Sequence, residues 1–143
     1  MNLHFQNMIT RTSLKDLIYQ VNGCAIEVHK HLGPGLLESV YHKCLIKELC
    51  FKELNFQSEM IVPIKYKDFV VDSDLRCDLF IEQSLVVELK AVEKVLPIHE
   101  AQLMTYMKLL KVPIGLIINF NVKHLFNEGQ KTYVNEMYRT IDD

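Results

Sequence analysis

Leu75-Arg76-Cys77-Asp78-Leu79-Phe80-Ile81-Glu82-Gln83-Ser84-Leu85-Val86-Val87-Glu88-Leu89-Lys90 reads as two strands joined by a tight connection. Leu75, Cys77, Leu79 and Ile81 alternate, as do Leu85, Val87 and Leu89, which is the period of a strand and not of a helix. Successive strand side chains take opposite faces. Arg76, Asp78 and Phe80 are therefore expected on the other face of the first strand, and Val86, Glu88 and Lys90 on that of the second. Pairing across Glu82–Ser84 then sets Asp78 roughly opposite Glu88 and Lys90.

A carboxylate and an ammonium in so apolar a strand are costly to bury unless they are paired or bind a metal. One reading is structural: a Glu88–Lys90 pair, or an edge strand with one wet face. The other is chemical. Two carboxylates from adjacent strands make a hard oxygen site suited to Mg²⁺ or Mn²⁺, with the Leu89 carbonyl as a further donor. A lysine beside them can orient water and offset charge on a phosphoryl group. Those are the parts that phosphodiester hydrolysis needs. Arg76, on the face of Asp78, would meet a phosphate or pair with a carboxylate.

Outward from this hairpin the period changes. On the N-terminal side Leu14, Leu17, Ile18, Val21, Cys24, Ala25 and Val28 recur at helical spacing, and a helix is expected to start at Ser13 with Asp16 in capping-box position. Leu32-Gly33-Pro34-Gly35 stops it. A second helix is expected from about Leu36 to Phe51. Met60, Val62 and Ile64 alternate again, and Lys67-Asp68 turns the chain into Phe69–Val71, giving an antiparallel meander of three or four strands. On the C-terminal side Pro97 opens a helix reaching about Leu110. Val112–Phe120 reads as a central strand, and a short strand near Lys131–Asn135 precedes a polar tail. Tyr19, Tyr41, Tyr66, Phe69 and Phe80 do not form the interleaved basic-aromatic pattern of a single-strand-binding surface and are expected to be mostly core. The order predicts an α/β protein with helices covering a largely buried sheet.

Composition sets bounds. The chain has 143 residues, 49% hydrophobic and 24% charged, which suits one folded domain with its own core. No apolar run reaches the length of a membrane helix, and Met1–Thr10 lacks the pattern of a secretory signal, so a cytoplasmic protein with no membrane partner is expected. Cys24, Cys44, Cys50 and Cys77 form no CxxC pair and are expected as free thiols. A formal net charge of −2 gives no sign of a broad basic surface for long nucleic acid.

The motifs together resemble a known family. Gly35-Leu36-Leu37-Glu38-Ser39-Val40-Tyr41 resembles the signature of the GxxExxY proteins, a branch of the PD-(D/E)XK nuclease superfamily. Asp78 is similar to that family's strand aspartate, Glu88-Leu89-Lys90 to its E-x-K element, and Pro97-Ile98-His99-Glu100-Ala101-Gln102-Leu103 through Tyr106 to the helix that follows. Asn119-Phe120-Asn121-Val122 is similar to the late strand end. The superfamily proline before the aspartate is replaced by Arg76-Cys77.

The resemblance covers roughly Leu14–Val134 and implies a restriction-endonuclease-like core: a central mixed sheet from a β-meander plus a later strand, flanked by helices. It divides the chain into a flexible lead-in, 1–12, and one nuclease-like domain, 13–143. It implies an Mg²⁺- or Mn²⁺-dependent nuclease acting on DNA or RNA, with Asp78, Glu88, the Leu89 carbonyl and Glu38 toward metal and Lys90 positioning water. Gln102 would face the site, near Lys90 or a phosphate oxygen, with Tyr106 and Arg76 on the substrate. A catalytically silent module that binds nucleic acid or a protein is the alternative, since fold and function are separable. A homodimer completing the cleft is a further expectation without an identified interface.

Overall fold

A computed structural model describes residues 9–143. Residues 1–8, most of the expected lead-in, lie outside the described residues. The elements are helix α1 (Arg11–Leu32), helix α2 (Glu38–Phe51), strands β1 (Phe56–Ile61), β2 (Ile64–Tyr66), β3 (Phe69–Val71), β4 (Arg76–Ile81) and β5 (Leu85–Lys90), helix α3 (Pro97–Leu110), strand β6 (Ile114–Asn119), a π-helical turn (Leu125–Gly129), strand β7 (Gln130–Val134) and helix α4 (Glu136–Thr140).

Helix α1 begins two residues before the expected Ser13. Thr10 is its N-cap: the Thr10 side chain accepts from the Ser13 N–H (3.0 Å), and the Ser13 hydroxyl accepts from the Thr10 N–H (2.8 Å). That reciprocal pair satisfies two backbone donors that the helix itself cannot, and it displaces the Ser13–Asp16 box suggested by spacing. The tail is not loose either, because Arg11 donates to the carbonyls of Tyr138 (3.0 Å) and Arg139 (2.8 Å) around α4.

Five strands form the main sheet in the order β1-β4-β5-β6-β7, and only β5 and β6 run parallel. Strand β6 is buried along its whole length, as a β-branched apolar segment inside a sheet should be. A side hairpin interrupts the expected meander. Strands β2 and β3 pair with each other in a separate hairpin, so the main sheet takes only β1, β4 and β5 from it.

Helices α1 and α2 cover one face. Leu14, Leu17, Val21, Tyr41, Leu45 and Leu49 pack there against Leu79, Ile81, Leu85, Val87, Leu89, Leu116 and Ile118. Helix α3 covers the other face, with Leu103, Tyr106 and Met107 against Val86 and Ile117. This three-layer mixed α/β arrangement agrees with the restriction-endonuclease-like expectation. The loop before α2 turns on Gly33 (φ 66°) and Gly35 (φ 100°), where a side chain would be strained. Tyr41 fixes it, donating its hydroxyl to the Gly33 carbonyl (2.5 Å) and accepting from the Leu36 N–H (3.2 Å) while its ring stacks on Phe120.

Candidate active site

The regular alternation expected for β4 fails at Asp78. Leu79 and Ile81 pack under α1 and α2, whereas Leu75 and Cys77 pack under α3. Strand β1 makes the same change, with Phe56 on the first side and Met60 and Val62 on the second. Both strands switch faces at one rung, where Glu59 would oppose Asp78. The ladder has Ser58↔Leu79 and Met60↔Cys77 but no Glu59–Asp78 pair, and Glu59 takes a left-handed φ of 50°. A non-glycine residue there is locally strained.

Strand β5 does not follow. Its pairing with β4 ends at Leu79↔Val87, and the two strands fork beyond that rung. Two carboxylates fill the fork. The Asp78 N–H donates to Glu88 Oε2 (2.8 Å), and the Leu89 N–H donates to Asp78 Oδ2 (2.7 Å). Each side chain thus replaces a missing rung of the ladder. The Leu89 N–H faces β4, and a strand residue's N–H and C=O point to the same edge, so its carbonyl lies along that edge also.

Burial gives these acids unusual proton affinity. Glu88 is only 4% exposed, and desolvation followed by the Asp78 charge pushes its carboxyl up from 4.5 to about 8. Desolvation also raises Asp78, against the Leu89 N–H bond and the charges of His42 and Lys90, which lower it. Glu38, in the first turn of α2, is exposed as a residue, yet its carboxyl is raised by desolvation and then by Asp78. From the α3 side the Tyr106 phenol is pushed up to about 12 by burial, then by Glu88 and Asp78.

Asp78, Glu88, Glu38, Lys90 and Tyr106 therefore share one electrostatic neighbourhood. No ion pair among the described residues includes Lys90, so the structural Glu88–Lys90 pair is not formed. Gln102 is half-buried on α3, and among the described residues it makes no hydrogen bond with Lys90. Arg76 is exposed and donates to the Glu59 carbonyl (3.2 Å), which ties it to the strained rung and not to a carboxylate. His99 accepts from the Leu96 N–H (3.0 Å) as a helix-start cap.

The site also takes in His42, to which no role was given above, and Asn119, which entered only through the resemblance of the late strand end. His42, four positions after Glu38 and so on the same helix face, lowers both Asp78 and Glu38 and contacts Ser58 Oγ (2.9 Å). That spacing was the available signal. Asn119, opposite Lys90 in β6, accepts from the Val92 N–H (3.1 Å) and donates to the Val92 carbonyl (2.9 Å), holding the chain as it leaves Lys90.

A fork that gathers an aspartate, an E-x-K strand and a helix glutamate fits the match now found. A family model described as the PD-(D/E)XK nuclease superfamily covers residues 15–132, most of the chain. The chain belongs to the PD-(D/E)XK nuclease superfamily. No curated protein and no solved structure matches it. Membership supports a nuclease-type function that uses a divalent metal and engages nucleic acid. No helix among the described residues is long and apolar enough to cross a membrane.

The donor set of this PD-(D/E)XK fork suits a hard divalent cation: a buried carboxylate (Glu88) and a half-buried one (Asp78), an adjacent backbone carbonyl, and a third carboxylate within electrostatic reach. As placed, no three Asp, Glu, His or Cys side chains among the described residues converge on one point. Each carboxylate gives one oxygen to a backbone N–H, Glu88 Oε2 to Asp78 and Asp78 Oδ2 to Leu89, which leaves the second oxygen of each for a cation.

Proposed function

We propose that the protein is an Mg²⁺- or Mn²⁺-dependent phosphodiester hydrolase acting on DNA or RNA, in the GxxExxY branch suggested by Gly35, Glu38 and Tyr41. The crossed carboxylates of the β4–β5 fork, beside a lysine that forms no ion pair among the described residues, carry this reading. Asp78, Glu88 and the Leu89 carbonyl would hold the cation, with Glu38 as an added carboxylate. A divalent cation there supplies positive charge for the phosphoryl oxygens and lowers the pKa of water.

This chain's own residues do the rest. The Lys90 ammonium, at the open end of β5, orients the attacking water and offsets charge on the phosphoryl group. Burial raises the Glu88 carboxyl to about 8, so a cation held there would take the place of its proton. Gln102 lines the α3 side and contacts substrate, and Arg76 reaches a phosphate from the β1–β4 edge, while Tyr106, expected on the substrate, is 2% exposed and backs the site from the core. The lead-in and single-domain division, a cytoplasmic location and a homodimer belong to the same proposal, and light scattering of the purified protein checks the last.

DNA and RNA panels incubated with Mg²⁺ or Mn²⁺ should be cut by the wild type and not by Asp78→Ala, Glu88→Ala or Lys90→Ala. Equal activity in all three variants would remove this mechanism. A second reading has one observation in its favour: both carboxylates already satisfy backbone donors, as a silent binding module would retain them. Nucleic-acid binding without cleavage under any metal would favour it.

A further inference from the structure

The β2–β3 hairpin leaves the main sheet at the end that carries the fork and pairs only with itself. Its base is fixed. The Val62 N–H donates to the Leu75 carbonyl (2.8 Å), and Val62 is buried in the α3-side core. Leu75 lies three residues before Asp78, so about 10 Å of strand separates the hairpin's base from that carboxylate at ~3.4 Å per residue.

Ile64↔Val71 and Tyr66↔Phe69 are directly opposed pairs two residues apart, so these four share one face. Ile64 and Val71 are half-buried. Tyr66 and Phe69 are 64% and 65% exposed, which overturns the expectation that these aromatics are core. Tyr19 is likewise exposed, but it stands alone on α1. Lys65 and Lys67 flank Tyr66 in sequence, and the Lys67 ammonium lies 5.6 Å from the Tyr66 ring centroid.

A cross-strand aromatic pair in water, with the Lys67 ammonium beside it, offers π-faces for unpaired bases and charge for an adjoining phosphate. Asp68 at the turn, and Asp72 and Asp74 on the return toward β4, keep this arm from gripping a duplex by charge alone. Stacking favours a strand whose bases are already unpaired.

We propose that Tyr66 and Phe69 dock single-stranded nucleic acid by base stacking and lead its backbone past Arg76 to the fork. What happens at the fork rests on the nuclease reading. The docking step needs no metal and is measured without one.

Fluorescence anisotropy of short labelled single strands and matched duplexes, in EDTA, tests it. The wild type should prefer single strands. The Tyr66→Ala/Phe69→Ala double variant should bind them at least about tenfold more weakly, from the worth of one or two base–aromatic stacks. Tyr66→Trp should retain binding, and thermal unfolding of these exposed-site variants should match the wild type. Single-strand binding unchanged in the double variant would overturn the proposal. So would a wild-type preference for duplex, or light scattering that shows the two aromatics holding a dimer together. Cleavage with Mg²⁺ or Mn²⁺ is scored separately. Aromatic-dependent binding without cleavage leaves the arm standing and removes the nuclease reading, and cleavage with aromatic-independent binding does the reverse.

Discussion

Replacing Glu88 by glutamine removes one ionisable group from the fork and keeps its size and its acceptor for the Asp78 N–H. In the wild type without metal, that carboxyl goes from 4.5 to about 8 on folding because of burial and the neighbouring Asp78. The sign follows from linkage. A raised folded pKa means that the native state binds more protons than the unfolded one, so stability is lost as pH rises from about 4.5 to about 8. At ~1.36 kcal/mol per pH unit that interval gives a ceiling of about 5 kcal/mol. Relaxation and water entry reduce it, and a loss of ~2–3 kcal/mol is expected. For a domain of this size that is on the order of 10 °C in Tm. Urea unfolding of wild type and Glu88→Gln in EDTA, across pH 4.5 to 9 at intervals of about one pH unit, reads Glu88 together with the carboxyls coupled to it, because titrations remote from the fork cancel in the difference. The variant should gain on the wild type steadily over that window and be the more stable protein above about pH 8. Parallel curves would refute the claim that Glu88 is a buried, proton-holding carboxyl.

Further outcomes follow from the supports around the fork. Tyr41→Phe leaves the Gly33 carbonyl and Leu36 N–H without their partner; about 1–3 kcal/mol should be lost in urea unfolding, and cleavage should fall as Glu38 loses its fixed entry. Asn119→Ala strips both Val92 backbone groups of their partner, with a loss of ~2–3 kcal/mol in the same assay. Burial and the two fork carboxylates push the Cys77 thiol up to about 12, and Cys24 is buried and raised as well, whereas Cys50 is exposed. Iodoacetamide at neutral pH should therefore label Cys50 first and reach Cys77 only on unfolding, as mass spectrometry of the peptides would show.

Much of this architecture is legible in the sequence because it depends on periodicity. The apolar stripes of α1 and α2, the hairpin of β4 and β5, and the buried β6 each declare their own period. The register that sets Asp78 against Glu88 also follows from the short Glu82–Ser84 connection. Period cannot show where a strand stops being regular. Leu75 and Cys77 keep step in sequence with Leu79 and Ile81, yet they lie on opposite faces because Glu59 and Asp78 break the shared rung.

That break makes the fork, and through it the site. The exposure of Tyr66 and Phe69 was hidden for a related reason. An aromatic strand looks like core unless one knows that its hairpin never joins the main sheet. Charge neighbours such as His42 come from tertiary packing, with only its spacing from Glu38 as a trace.

The central claim is that Asp78 and Glu88 form a divalent-metal site poised for phosphodiester hydrolysis. Calorimetric titration of Mn²⁺ into the metal-free protein near pH 7, in buffers of different ionisation enthalpy, tests it most directly. Binding should depend on both carboxylates and should release protons, because Glu88 holds one before the cation arrives. Absence of binding, or binding that persists with no proton release in Asp78→Ala and Glu88→Ala, would contradict it.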